Sequence, residues 1–363
     1  MTDSAGLAED FASGLARLAG IGVAAGVDTV VVRSPATLAW LTGARVHVPN
    51  TLDAACFDLV ISGIACGPTA TVVTNAVEAP RLADTELAGL PLEWTVVPWT
   101  GDRSAELPTG PRVGADVPAA GRIDLSAAMA GARRALTDRQ AERLAAVGRE
   151  AAEAATAAAW RIEPGRSEYA AAGVLAQELL ARQLDPVCLF VAGGTRMDRH
   201  RHPLPTGAAL GDRASLVCCA RRDGLIASVT RLVYFTPPPA ERYRALLEVE
   251  KAFLDASVVG ARLGDVVTAG ITAYAAHGFA EDEWRRHHQG GLSGWQPREF
   301  PAGPDCPLAL GENHVVAWNP SGDTVKVEDT CLVRAGGVRP LVHDPAWPVL
   351  PVGGRLRPDL LVR

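Results

Sequence analysis

Ser215-Leu216-Val217-Cys218-Cys219-Ala220-Arg221-Arg222-Asp223-Gly224-Leu225-Ile226-Ala227-Ser228-Val229-Thr230-Arg231 is the stretch that decides the fold. Residues 215–220 are apolar, Asp223-Gly224 is a favoured two-residue turn, and residues 225–235 resume an alternating strand pattern. The stretch therefore predicts a β-hairpin. Cys218 and Cys219 are neighbours on its first strand, so at most one of them lines a given site, and both are expected as small core residues.

Upstream, Thr137 and Gln140 form a capping box that starts an alanine-rich helix reaching Trp160, and Pro164-Gly165 ends it. Ser167 caps a second helix to about Arg182, followed by an apolar strand over 187–192. Downstream, Pro237-Pro238-Pro239 leads into helices over 240–256 and 263–277, then glycine-rich, strand-like sequence. Two helices followed by strands, twice over, predict an α+β domain of two similar halves across 131–363.

The preceding part reads as a smaller α/β domain over 1–130. Short runs at 29–32, 36–41, 58–62, 71–74 and 94–97 alternate between β-branched and helical character. Residues 100–119, rich in Gly, Pro, Asp and Arg, read as a linker.

At 363 residues and 48% hydrophobic composition the chain can bury two cores. Its net charge of −6, with basic residues spread along the chain, gives no footprint for nucleic acid or an anionic membrane. Lys251 and Lys326 are its only lysines. No stretch reaches the ~18 apolar residues of a spanning helix, and acidic residues stand where a secretory signal carries basic ones, so a cytoplasmic location is expected. The seven cysteines lack a compact pattern and are expected to be free thiols.

Four segments place titratable groups among turn residues, where binding loops are found. They are residues 199–206 around His202, His287-His288-Gln289-Gly290-Gly291, residues 294–299 with Arg298-Glu299, and Trp318-Asn319-Pro320-Ser321 leading to Val327-Glu328-Asp329-Thr330. Singly, His202 reads as a surface histidine, Glu328 as an exposed strand carboxylate and Asn319 as a turn residue before proline.

Taken together, and in this order, these segments resemble the pita-bread family of methionine aminopeptidase, prolidase, aminopeptidase P and creatinase. The resemblance runs from a creatinase-like amino-terminal domain, in which Ala39-Trp40-Leu41-Thr42-Gly43 looks like a recurrent strand-and-loop motif, to the strand 327–330. It implies a homodimer and, in the metallopeptidase branch, two metal ions held by two aspartates, a histidine and two glutamates. The second aspartate precedes a hydrophobic-Thr-Arg sequence, which puts Ser228 in its place before Val229-Thr230-Arg231. Eleven positions earlier the first falls at Val217, or at Cys218 for a hairpin one residue shorter. His288 matches the histidine, Asn319 the first glutamate and Glu328 the last.

A two-metal site needs bridging carboxylates, which this set does not supply, so no metal and no cofactor is expected. A zinc set of Cys218, His288 and Glu328 has the right donor types, without a spacing that demands it. Creatinase uses the fold without metal, and the resemblance then implies that His202 takes a proton from water and returns one to the leaving nitrogen. A histidine pKa of about 6.5 suits both steps.

The reading is thus a metal-independent hydrolase or lyase acting on a C–N bond of a small nitrogen-containing molecule. His202, His288 and Glu328 are the catalytic candidates; Arg298, Glu299, Asn319 and Ser228 are the substrate-binding ones. Glu328 and Glu299 would neutralise a cationic substrate group, and His288 with Arg298 would polarise the group attacked. The alternatives are an Xaa-Pro aminopeptidase or dipeptidase with an altered metal site, and a binding protein without catalysis.

Overall fold

The computed structural model describes residues 4–46 and 55–363, and the chain divides into two compact units, Met1–Arg134 and Ala135–Arg363. In the first, α1 (Ser4–Ala25), β1 (Thr29–Val32), α2 (Pro35–Thr42), β2 (Phe57–Ser62), β3 (Thr69–Asn75), the single turn α3 (Ala79–Arg81), β4 (Leu92–Val97), β5 (Val113–Ala115), β6 (Ile123–Asp124) and α4 (Ser126–Arg133) follow in order. The strands form one sheet in the order β4-β3-β2-β1-β5-β6.

Two sequence expectations are corrected here. The Ala39–Gly43 motif is a helix end, not a strand and loop. Ser34 accepts the Thr37 N–H at 3.2 Å, Pro35 opens α2, and Gly43 closes it in the left-handed region at φ 65°. Residues 100–119 are not a linker, because β5 pairs in parallel with β1 and buries Val113 and Ala115.

The second unit runs α5 (Asp138–Arg161), α6 (Glu168–Ala181), β7 (Asp185–Gly193), the turn α7 (Arg196–Arg199), β8 (Arg213–Arg222), β9 (Leu225–Tyr234), α8 (Ala240–Ala256) and α9 (Leu263–Ala276). It continues with β10 (Gly290–Ser293), β11 (Phe300–Pro301), β12 (Val315–Trp318), β13 (Ser321–Gly322), β14 (Val325–Lys326), β15 (Asp329–Arg334) and β16 (Gly337–Pro340). The short strands β17 (Val349–Val352), β18 (Arg355–Pro358) and β19 (Leu361–Val362) close the chain. The main sheet has the order β11-β10-β12-β15-β9-β8-β7, with β16 on β15 and β19 on β9. It is the α+β arrangement expected, and the capping box of α5 forms as read, Gln140 accepting the Thr137 N–H at 3.0 Å while Thr137 accepts that of Gln140 at 3.2 Å.

The hairpin β8-β9 forms with Asp223 at φ 50° and Gly224 at φ 79°, the two positive values that a type I′ turn requires. That turn fixes the register, Arg222 opposite Leu225 and Cys219 opposite Ser228. Residues directly opposite share a face, so Val217, Cys219, Ser228 and Thr230 lie on one side and Cys218, Val229 and Arg231 on the other. Helices cover the Cys218 side: Arg222 pairs with Glu150 of α5 at 2.6 Å, and Arg231 joins a network that reaches Glu250 of α8. The Val217 side is left for a site.

Candidate functional site

The site is built on that face from strands adjacent in the sheet and from the loops between them. Strand β7 brings Cys188 and Phe190, and Cys188 lies directly opposite Cys219. The two thiols hydrogen-bond, which favours the thiolate at Cys219 and disfavours it at Cys188. Cys219 Sγ is also 3.5 Å from Ser228 Oγ. Cys218, fully buried on the helix side, does not reach this face, so the zinc set of Cys218, His288 and Glu328 is corrected.

His202 follows α7, stacks on Phe190 with ring centroids 4.9 Å apart, and meets His287 with an Nε2···Nε2 separation of 3.2 Å. His287 in turn contacts Ser321 Oγ through Nδ1 at 3.1 Å. The result is a chain of exchangeable protons, Ser321–His287–His202. Burial pushes His202 below the ordinary histidine value and His287 far below it, while burial and then the Arg298 charge hold His288 down at about 4. Desolvation thus favours the neutral form of the imidazoles, most strongly at buried His287, while His202 and His288 are exposed to solvent.

His287 and His288 are held by a backbone that only glycine permits. Gly290 and Gly291 have φ of 111° and 145°, and a Cβ on either would lie 2.1 Å from Ala317 O or 2.2 Å from Phe300 O. The His288 segment is thereby pressed against β12.

On the far side stands Glu328, fixed against β9 because Thr230 N–H donates to its carbonyl at 2.8 Å. Arg298 Nη2 donates to Glu328 Oε1 at 2.9 Å, and Arg298 Nη1 donates to Ala317 O at 3.0 Å. Lys326 Nζ lies 3.9 Å from Glu328 Oε2. Burial pushes the Lys326 ammonium down, opposed by the Glu328 charge. The Glu328 carboxylate thus meets two cations of the protein itself.

Of the residues singled out from the sequence, His202, His288, Arg298 and Glu328 act electrostatically on one another, and Ser228 is buried on the same face. Asn319 is buried at the end of β12 with its N–H on Gln289 O at 3.1 Å, and its side-chain oxygen has no hydrogen-bond partner. Glu299 is half-buried beside Arg298, its N–H donating to Leu292 O at 2.9 Å. Lys326, His287, Ser321, Cys188 and Cys219 were given no role in the site from the sequence. The Asp223-Gly224 turn would have given Cys219, because a two-residue turn fixes which residues face each other.

Among the described residues, the group of three or more His, Cys, Asp or Glu side chains able to converge on one ion is His202, His287 and His288, whose ligand atoms lie within 4.8 Å of one another. No helix among them is long and apolar enough to cross a membrane.

No relative was found among curated proteins. Solved structures with the same fold include a prolidase from Pyrococcus horikoshii, 16% identical, with a TM-score of 0.75 over 91% of this chain and 98% of that one. A dipeptidase PepE from Mycobacterium ulcerans is 19% identical, with a TM-score of 0.74 over 99% and 98%. An Xaa-Pro dipeptidase from Bacillus anthracis is 16% identical, with a TM-score of 0.75 over 97% and 100%. At this identity they establish the pita-bread fold. A model of metallopeptidase family M24 matches residues 140–335, more than half of the chain, and the chain belongs to that family of hydrolases.

Proposed function

We propose that the protein hydrolyses a C–N bond of a small nitrogen-containing molecule without the two-metal centre of its family, with His202 as base and acid. The observation that carries this reading is the Ser321–His287–His202 chain, in which the two imidazoles have Nε2 atoms 3.2 Å apart and Ser321 Oγ is 3.1 Å from His287 Nδ1. A neutral imidazole beside a second one takes a proton from water and passes it to a leaving nitrogen. The donor set supports the same reading. A two-metal site needs carboxylates that bridge the ions, and the converging group here is three imidazoles. The positions matched to the family's other carboxylates hold Val217, Ser228 and Asn319. Dipeptide-like amides enter the substrate range because the structural neighbours are named prolidase and dipeptidase. The homodimer and the cytoplasmic location expected from the sequence belong to the same proposal.

A second reading rests on the same histidines. Three neutral imidazoles are the ligand set of a single catalytic zinc, and the 3.2 Å between His202 and His287 suits two ligands of one tetrahedral ion. His202, His287 and His288 would hold it, and the ion would supply a nucleophilic water. Metal content of protein purified without chelator, with a mass-spectrometric screen of small amides, ureas, guanidino compounds and proline dipeptides, separates the readings. Turnover by metal-free protein that is lost in His202→Ala supports the first. One ion per chain, with activity lost to chelator, supports the second. A well-folded protein that binds these compounds and turns none over is a binding protein, and both readings fail.

A further inference from the structure

Two of the seven cysteines face each other, and the hydrolase reading uses neither. Cys188 of β7 and Cys219 of β8 are direct register partners. Opposed residues of an antiparallel pair have Cα atoms about 4.5 or 5.5 Å apart, and a disulfide spans about 4.4–6.8 Å. The backbone therefore already allows a bond between the two sulfurs. The thiols hydrogen-bond each other, so both side chains point onto the face that carries Phe190 and Ser228. Beside them the register shifts by one residue between Pro186 and Cys188, a bulge that gives this end of the ladder room to adjust. Strand β7 is also the edge of the main sheet, and both cysteines are only half-buried, so a small reagent reaches them. Cys56, Cys218, Cys306 and Cys331 are buried, Cys218 on the opposite face, and the exposed Cys66 lies in the other unit.

We propose that Cys188 and Cys219 are a modification site that a hydroperoxide converts into a reversible disulfide. Cys219 is the attacking group, because the hydrogen bond from Cys188 favours its thiolate. Its sulfur takes one oxygen of the peroxide and the O–O bond breaks. The other oxygen leaves as water with the thiol proton, and Cys219 is left as a sulfenic acid. The Cys188 sulfur then attacks that of Cys219, the S–O bond breaks, and the oxygen leaves as water with the Cys188 proton. Two thiols have lost two electrons in all, and one peroxide has become two waters. An added dithiol reverses the step by exchange. The bond ties β7, which carries Phe190 under His202, to β8. It also strips Cys219 of its proton, so toward Ser228 Oγ, 3.5 Å away, that sulfur can then only accept. None of this needs the hydrolase reading, since the two thiols suffice.

The test exposes the full chain to a small excess of hydrogen peroxide, alkylates the thiols that remain, and reads intact mass and a peptide map, before and after dithiothreitol. Wild type should lose two hydrogens and two alkylation sites, and the map should join the Cys188 peptide to the one holding Cys218 and Cys219. Dithiothreitol should restore both sites. Cys219→Ser should abolish the link. Cys188→Ser should abolish it too and leave Cys219 as a sulfenic acid that dimedone captures, while Cys66→Ser should form the link as wild type does. Peroxide that leaves both thiols free in wild type, or carries them only to sulfenic or sulfinic acid, would overturn the proposal. So would a link that survives in Cys219→Ser or that dithiothreitol does not reverse. Should a serine variant fail to fold, Cys188→Ala and Cys219→Ala give the same comparison, and the wild-type map decides alone.

Discussion

Glu328 and Asp329 are adjacent in sequence and end in two polar clusters of different construction. Asp329 accepts from Arg231 at 2.7 Å and from Arg357 at 3.0 Å, and Arg357 also meets both oxygens of Glu250, at 2.6 and 2.8 Å. Two carboxylates face two guanidiniums, all fully buried among helices and strands. Glu328 is one carboxylate facing two cations, Arg298 at 2.9 Å and Lys326 at 3.9 Å. The first cluster is closed and can only hold structure. The second faces the exposed imidazoles of His202 and His288, as expected of a site that takes a ligand.

The largest effect should come from opening the closed cluster. Arg357→Met leaves Glu250 and Asp329 short of a buried partner, at a cost of about 3–5 kcal/mol. Its melting temperature should fall by more than about 6 °C, or the chain should fail to fold. A change inside the error of the melt would dissolve the distinction between the clusters. His202→Ala, on the open side, should do the reverse. Turnover should drop by roughly 10²–10⁴-fold while the circular dichroism spectrum and the melt stay those of wild type.

A smaller effect sharpens the contrast. Lys326→Met removes a cation whose carboxylate partner is 3.9 Å away, so the stability should stay within about 1 kcal/mol of wild type or rise. A loss as large as that of Arg357→Met would mean that Lys326 belongs to the scaffold. The smallest effect is the pH slope. His202, His287 and His288 are held below the ordinary histidine value in the folded protein, His288 at about 4. In the unfolded chain they protonate near 6.5. Their contribution is complete above that pH and is lost as the pH falls toward 4, because the unfolded state then binds protons that the folded one does not. Melts from roughly pH 7.5 to 4.5 should show this decline, shallower in His288→Asn. An identical slope in the variant would remove His288 from it.

Local signals carried most of the fold. The Thr137 and Ser167 caps, the Asp223-Gly224 turn and the proline-led helix at 240–256 are all encoded within a few residues, and each element stands where it was read. The amino-terminal helix α1 was missed because its alanines and glycines give no clear apolar period. In the site, His202, His288, Arg298 and Glu328 were legible as titratable groups among turn residues. Cys188 and Phe190 were not, since β7 meets β8 through pairing across some thirty residues of intervening sequence. Lys326 was visible as one of two lysines, yet its place beside Glu328 is displayed only by the folded arrangement.

The most direct measurement is elemental analysis of protein purified without chelator, with hydrolysis of the small amide or ureido compound that the screen identifies followed before and after chelation. The account predicts no stoichiometric transition metal and unchanged turnover in chelator. Two ions per chain, with activity lost on chelation and restored by metal, would contradict it.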